Sequence, residues 1–393
     1  MRQKISSASL QRSFMMGLII AAGLPVTSVL AQTAAPAKDA KTETGKLETI
    51  TVTAERRSEN IKDVPNSVTA LRGETLDVIN SGGQDIRMLA GRVPSLNIES
   101  SFGRAFPRFY IRGLGNTDFD LNASQPVSLV YDDVVQENPI LKGFPIFDIE
   151  QIEVLRGPQG TLFGRNSPAG VVKFDSVKPR QADEGYLNIS YGQDAATMLE
   201  GAANVALNKD WAFRISAQSQ RRDNWVTNTY SAGPTKKLEG YSDIAVRAQL
   251  MYQTNSDFNA LFNVHSRDLS GSARLFRANI IKPGTNDIVD GFDPKKISID
   301  GVNKQNMRDL GGSMRLKWNF NGMTLNSITG YESVTSFSRG DIDGGFGASF
   351  LPAGLSGPAL FRLPPSQPTA CRITNKLRRN SVWSPAQKAR LNG

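Results

Sequence analysis

IEQIEVLRGPQGTLFGRNSPAGVV, residues 149–172, reads as strands joined by a glycine-rich connection, with Gly157, Gly160, Gly164 and Gly170 in 24 positions. Glycine at this density excludes long helices and points to tight turns and close backbone approach. The string closes a stretch, from about Asn60 to Arg180, that reads as one compact α+β unit. VPNSVTAL (64–71), RFYIRGLG (108–115) and VSLVYDDVVQ (127–136) are strand-like. GETLDVINSGGQDIRMLAGRVPSL (73–96) holds two short amphipathic helical patterns broken by Gly82-Gly83. About 120 residues is an ordinary size for one domain.

Beyond Pro179 the period changes. Seven segments of about ten residues follow, beginning at Gly185, Thr197, Trp211, Tyr241, Ser256, Leu310 and Met323 and separated by turns or loops. In the third, Trp211, Phe213, Ile215 and Ala217 alternate with Ala212, Arg214, Ser216 and Gln218; in the fourth, Ile244, Val246, Ala248 and Leu250 alternate with Ala245, Arg247 and Gln249. Strands of ~9–11 residues with an apolar face, a polar face and aromatic ends mark a transmembrane barrel. A soluble sandwich also alternates, but these segments are long and carry charge regularly on one face. The seventh alternates poorly. The expected fold class is an α+β plug-sized domain followed by an incomplete antiparallel transmembrane β-barrel.

The beginning of the chain reads as an export signal over residues 1–31. MRQKISSASLQRSF carries three positive charges and no acid, an apolar run MMGLIIAAGL follows, and SVLA precedes Gln32. The apolar run is about half of what a spanning helix needs. Residues 32–59 read as a flexible tether, small, polar and rich in Pro, Ala and Lys ahead of residue 47, that carries a strand. In LETITVTAERR (47–57) Ile50, Val52 and Ala54 fall on one face and Thr49, Thr51 and Thr53 on the other. The net charge of +9 is concentrated at the two ends. Residues 351–393 hold seven Lys/Arg and no acid, the signal holds three more, and residues 32–350 are left at −1. A nucleic-acid partner therefore loses its main support. Cys371, the single cysteine, excludes an intramolecular disulfide framework.

With a tethered ETITVTA (48–54), IRGLG (111–115), VSLVYDDV (127–134) and above all the string at 149–172, the chain resembles the TonB-dependent receptors of the bacterial outer membrane over roughly residues 47–350. The resemblance implies a tether with a TonB box up to residue 59, a plug over 60–180 and the N-terminal part of a β-barrel over 185–350. It makes Glu48, Thr49, Ile50, Thr51, Val52, Thr53 and Ala54 the strand that adds to the C-terminal domain of TonB, which is coupled to an inner-membrane energising complex; strand addition works through main-chain hydrogen bonds and alternate side chains. It implies plug–barrel contacts at Arg112, Arg156 and Arg165, each beside a glycine. It places ligand contacts at Arg104, Phe106 and Arg108, where cations meet apolar surface. The implied ligand is a small molecule such as a ferric chelate, taken up across the outer membrane. Cobalamin, haem and oligosaccharides are also carried in the family. No room for a further folded domain lies between Ala31 and Glu48, so periplasmic signalling is not expected.

Enzyme readings find no support. GxSxG, HExxH, the Walker-type GxxxxGK[ST] and CxxC are all missing. The lone His265 cannot build a histidine cluster and reads as a lumen or surface residue, while Asp132-Asp133 read as a solvated turn or bulge. No cofactor or metal is expected. A passive outer-membrane porin or structural barrel is the alternative, and the plug and the tethered strand argue against it. Family barrels have 22 strands, and an eight-stranded barrel has room only for side chains, so seven strands are not expected to enclose a plug of this size. The basic tail 351–393 fits a shift of reading frame between about Phe350 and Ala370. Re-read one base out of step from Ala370, with permitted wobble choices, it runs LPDHQQITQELRLES, which resembles a later barrel segment of the family. N-terminal sequencing of the exported protein should begin at Gln32; another start, or a retained apolar segment, would show that the export signal is misassigned.

Overall fold

The computed structural model describes residues 50–345, except 54–58, 74, 77–84, 101, 119–122, 255–256, 321–322 and 342–343, together with two strands at 368–376 and 380–384. The export signal and most of the tether lie outside the described residues. In chain order the first part holds β1 (Thr51–Val52), β2 (Glu59–Asn60), β3 (Ser67–Arg72), β4 (Leu96–Glu99), β5 (Arg108–Ile111), β6 (Val127–Tyr131), β7 (Val134–Val135), β8 (Ile149–Arg156) and β9 (Gly170–Ser176). A five-stranded sheet runs β3-β8-β9-β6-β7, parallel only between β9 and β6.

The string that opens the sequence argument is β8, its loop and β9. Arg156 opposes Gly170, and the Gly157 N–H donates to Ala169 O (2.9 Å) and the Gln159 N–H to Ser167 O (3.1 Å), closing the connection. Gly170 is required: at φ 149° an added Cβ would lie 2.2 Å from Leu155 O. Both faces of β6, β8 and β9 are covered, so apolar residues such as Val154 and Leu155, or Val171 and Val172, stand side by side in the sequence. Ile152, Val154, Leu129, Val172 and Phe174 pack on one side and Leu155, Val130 and Val171 on the other. The second helical pattern is only a 3₁₀ turn, Ile86–Leu89, with the Asp85 carboxylate accepting the Arg87 N–H (3.0 Å). Most of the first pattern lies outside the described residues.

The second part is a meander. β10 (Glu184–Gly192), β11 (Ala196–Ala206), β12 (Trp211–Arg222), β15 (Tyr241–Gln253), β16 (Phe258–Gly271), β18 (Lys304–Phe320) and β19 (Met323–Asp341) pair antiparallel in that order. Between them β13 (Val226–Asn228), β14 (Lys237–Leu238) and β17 (Lys296–Ile297) form a small sheet in the long loops. All seven expected segments are strands, and their burial is inverted relative to a soluble protein. On β15, Arg247 is 1% exposed while Ile244 and Val246 are 46% and 37% exposed. Charges facing inward and aliphatic residues facing outward suit a wall with lipid outside and plug inside. Short turns collect at one end with an aromatic row, in which the rings of Trp211 and Tyr252 lie 4.7 Å apart and those of Trp318 and Phe320 5.0 Å. Long loops collect at the other.

β19 alternates poorly in sequence because part of its inward face touches the plug through apolar or absent side chains. Val334 packs on Phe106 and Leu141, and Val134 of the plug leaves only 2.8 Å for a Cβ at Gly330. The tail also forms strands: β20 (Pro368–Lys376) and β21 (Asn380–Ser384) both pair antiparallel with β19. Among the described residues the sheet does not close, since β10 pairs only with β11.

One plug residue carries a charge into the interior. Lys142, in the 3₁₀ turn Pro139–Gly143, is 2% exposed and donates to Val127 O (2.8 Å) and Gln125 Oε1 (3.2 Å). Burial, against only a weak pull from Glu137, depresses its pKa to about 7. Between about pH 7 and the ordinary lysine value of 10.5 the unfolded chain then holds more protons than the folded one, so stability rises with pH across that window. Lys142→Met deletes this dependence together with two hydrogen bonds. The stability of the variant relative to the parent should therefore shift in its favour by roughly 2–4 kcal/mol on going from pH 10 to pH 6. Urea midpoints of the detergent-folded chain at the two pH values measure this, and an equal gap at both would refute it.

Candidate functional site

Plug and wall meet around Asp148, the plug residue that precedes β8 with φ 50°. Its Oδ1 accepts Arg214 Nη2 (2.5 Å); its Oδ2 accepts Arg214 Nε (2.9 Å) and Arg247 Nη2 (3.2 Å). Arg247 also donates to the carbonyls of Asp148 (2.8 Å) and Phe147 (3.2 Å) and to the Tyr131 hydroxyl, and its guanidinium stands 4.8 Å from the Phe147 ring centre. The Asp148 N–H donates to Glu200 Oε1 (3.1 Å), which Tyr186 also reaches (2.7 Å). Four wall strands, β10, β11, β12 and β15, thus converge on one plug residue. Burial pushes the Asp148 carboxyl up, but the hydrogen bonds and charges of the two arginines outweigh it and hold its pKa below the usual carboxylate range.

Further along the interface Arg267 makes a two-pronged pair with Asp243 (2.7 Å to each oxygen) and donates to the Gly143 carbonyl of the plug. Asp132 and Asp133 are the two left-handed residues of the tight β6–β7 turn, at φ 46° and 67°. The turn was expected, but it was expected to be solvated, and the structure corrects that. Asp132 is buried and accepts from Ser176 Oγ (2.7 Å) and Asn263 Nδ2 (3.1 Å), and Asp133 pairs with Arg315 of the wall (2.8 Å). His265 faces the lumen, 3.1 Å from Glu332, with its ring edge-on to Tyr131. No cluster of metal-binding side chains occurs among the described residues.

The arginines singled out in the sequence fall elsewhere. Arg156 donates to Pro94 O (2.9 Å), Ser95 Oγ (3.0 Å) and Thr69 Oγ1 (2.8 Å), all plug atoms. Arg165 pairs with Glu137 (2.7 Å) in the plug. Arg112 is exposed at φ 53° with its N–H on Ser95 O (2.9 Å). Of the three proposed ligand contacts, Arg104 sits against the wall, donating to Gln220 Oε1 (2.6 Å) with its guanidinium 4.0 Å from the Tyr241 ring centre. Phe106 is buried among Ile140, Leu141, Leu269, Met307 and Val334. Arg108 stays within the plug, paired with Glu99 (3.2 Å). The wall contacts that sequence reasoning missed, Arg214 and Arg247 above all, had a signal: each is a cation on the face opposite an aliphatic row.

Of the strand at 48–54, Ile50–Thr53 are described; Glu48, Thr49 and Ala54 are not. Its described part already has a neighbour in its own chain: β1 pairs with β2, Thr51 opposite Asn60, and Ile50 O accepts the Ile61 N–H (2.9 Å). Val52 is fully buried against Val64, Val130, Leu155, Phe163 and Val171. The Thr53 N–H donates to Glu153 Oε1 (2.6 Å), and Lys173 Nζ donates to Thr53 Oγ1 (2.5 Å) and Asp175 Oδ2 (2.6 Å). Burial pushes the Glu153 carboxyl up against the pull of Lys173, and among the described residues Glu153 Oε2 has no hydrogen-bond partner. Lys173 loses to burial, but the surrounding carboxylates, Asp175 first, more than restore its charge.

Residues 60–171 match the family described as TonB-dependent Receptor Plug Domain. The chain is 27% identical over 139 residues to the pesticin receptor of Yersinia pestis, covering 35% of this chain and 20% of that protein. It is 23% identical over 224 residues to the vitamin B12 transporter BtuB of Vibrio vulnificus, covering 55% and 34%. The crystal structure of the ferric yersiniabactin uptake receptor FyuA from Yersinia pestis superposes with a TM-score of 0.60 at 18% identity, over 70% of this chain and 42% of that one. The matches thus span a fifth to about two fifths of these relatives, which are receptors and a transporter, not enzymes.

If Asp148 is the anchor, Asp148→Asn strands two buried arginines and should weaken plug attachment by about 3–5 kcal/mol. Arg165→Gln, on an exposed pair, should leave it unchanged. The urea concentration at which a protease first cuts the plug of the folded chain reads both, and equal midpoints for Asp148→Asn and the parent would reject the assignment.

Proposed function

We propose that this chain supplies the plug and the N-terminal part of the barrel of a TonB-dependent receptor for energised uptake of a scarce small molecule across the outer membrane, with an iron–siderophore complex as the ligand class, and that the chain alone does not transport. One observation carries the reading: a plug of this family sits against strands whose inner face is charged and whose outer face is aliphatic, with a β-strand segment at its N-terminal border. A plug blocks free diffusion, so passage requires the plug contacts to be loosened by work done from outside the barrel. In this reading β1 is where that work is applied, through strand addition by the C-terminal domain of TonB. The long-loop end, carrying Arg104 and Phe106 beneath it, faces the medium, in line with the longer extracellular loops of such barrels. Named relatives take up ferric yersiniabactin and vitamin B12; the siderophore class is preferred here because siderophore receptors recur among the solved structures of like fold.

A peptide of residues 46–57 should bind the TonB C-terminal domain, and Val52→Pro should abolish binding by removing a ladder donor. In cells carrying the receptor, deletion of residues 48–54 should stop uptake while leaving the folded protein in the membrane. Unchanged uptake would favour a passive pore, and unchanged peptide binding by the proline variant would refute strand addition.

A further inference from the structure

The long loops line an open pocket that none of the contacts above uses. It has a volume of about 410 Å³ and lies outside the plug–wall interface, between Thr229, the 277–280 and 289–293 segments, Lys296–Ser298 and Gly344-Gly345. The volume is that of a small-molecule site. The loops around it are folded rather than loose. The sheet β14-β13-β17 has its own core of Val226, Leu238, Ile297 and Ile299, and Asn228 ties it with hydrogen bonds to Ile299 O (2.8 Å), Thr235 O (3.0 Å) and the Ile299 N–H (3.0 Å). On the opposite wall the Ala278 N–H donates to Gly344 O (2.9 Å) and the Val289 N–H to Ile280 O (3.0 Å).

Two lining residues define the chemistry. Arg277 is half-buried and donates to the carbonyls of Lys296 and Pro294 (2.6 Å to the latter), and its guanidinium lies 5.6 Å from the Phe292 ring centre. Among the described residues no carboxylate forms an ion pair with it; the lining acid, Asp293, is paired with Lys296 (3.3 Å). A partly desolvated cation that is held in place by carbonyls but has no counter-ion among the described residues suits an anion, because the ion pair is missing while part of the entropic cost of fixing the side chain has already been met. Phe292, with Ile280, Val289 and Ile297, supplies apolar surface beside it.

We infer that this loop pocket binds an organic anion carrying a flat ring, its carboxylate on Arg277 and its ring against Phe292. The site stands apart from the plug and is independent of energised uptake, so it can be tested by direct binding. The probes are 2-naphthoate and its neutral counterpart 2-naphthalenemethanol, titrated by fluorescence into the detergent-folded full chain. Naphthoate should saturate with at least about tenfold higher affinity than the alcohol, the order of one charged hydrogen bond. Arg277→Met should remove that difference by weakening only naphthoate, and Phe292→Leu should weaken both probes. Arg277 also braces the loop, so hydrogen exchange on the unmodified chain supplies the second reading: naphthoate should slow exchange within residues 277–280 and 289–298 and leave β8 and β9 unaffected. Equal affinities for the two probes, undiminished naphthoate binding in Arg277→Met, or protection that falls outside the loops would each overturn the assignment.

Discussion

The Asp148 carboxylate, shared by Arg214 and Arg247, is the interaction on which the arrangement of the two parts depends. A wall that turns its aliphatic side chains outward must turn charged ones inward, and those charges are removed from water by the plug. Two buried guanidiniums without an anion would cost several kcal/mol each. Asp148 meets them from the first residue ahead of β8, with its N–H, its carbonyl and both carboxylate oxygens engaged. The hairpin β8–β9, the most buried part of the plug, is therefore joined to its most strongly anchored point.

The same constraint sets the rest of the interface. Polar wall residues reach for plug main chain and turns, as Arg267 does for Gly143 O and Asn263 for Asp132. Where the plug offers apolar bulk, the wall yields: Leu269, Met307 and Val334 accept Phe106 and Leu141, and Gly330 admits Val134. The inner face is consequently a mosaic that follows the plug surface, while the outer face exposes mostly apolar side chains, among them Ile244, Val246, Phe262, Val264 and Leu310.

That difference decides what the sequence could reveal. Six of the seven wall strands were legible because their outer faces repeat every second residue. The plug was legible from the glycine-rich string, whose conformation Gly170 enforces locally. β19 was obscure because its inward residues answer to plug atoms nearly 200 positions away. Asp148 was obscure for the same reason: its partners lie 66 and 99 residues along the chain. Arginines beside glycines drew attention to Arg156 and Arg165, whose hydrogen bonds are to plug residues, whereas the wall presents the cations at Asp148 and the plug the anion. Charge sign across an interface is a relation between two elements, and neither element records it alone.

The strand at 50–53 poses a related problem of competition. In the docked arrangement its main chain is already committed, Ile50 O to Ile61 and the Thr53 N–H to Glu153. Burying Val52 contributes about 1.5–2 kcal/mol, and each hydrogen bond about 1 kcal/mol net. The sum, a few kcal/mol, is small beside the stability of the plug sheet to which it is attached. It is comparable to what a short added strand gains from an incoming edge. β1 can therefore leave without unfolding β8 or β9, and the residue that resists last is Thr53, because Lys173 and Glu153 would lose their contacts to it inside a buried cluster. Lys173 retains Asp175 (2.6 Å) when Thr53 departs, and Glu153 retains Gln151, so the cluster stays partly satisfied. A strand held this weakly, over ground that tolerates its departure, fits the strand exchange proposed for it.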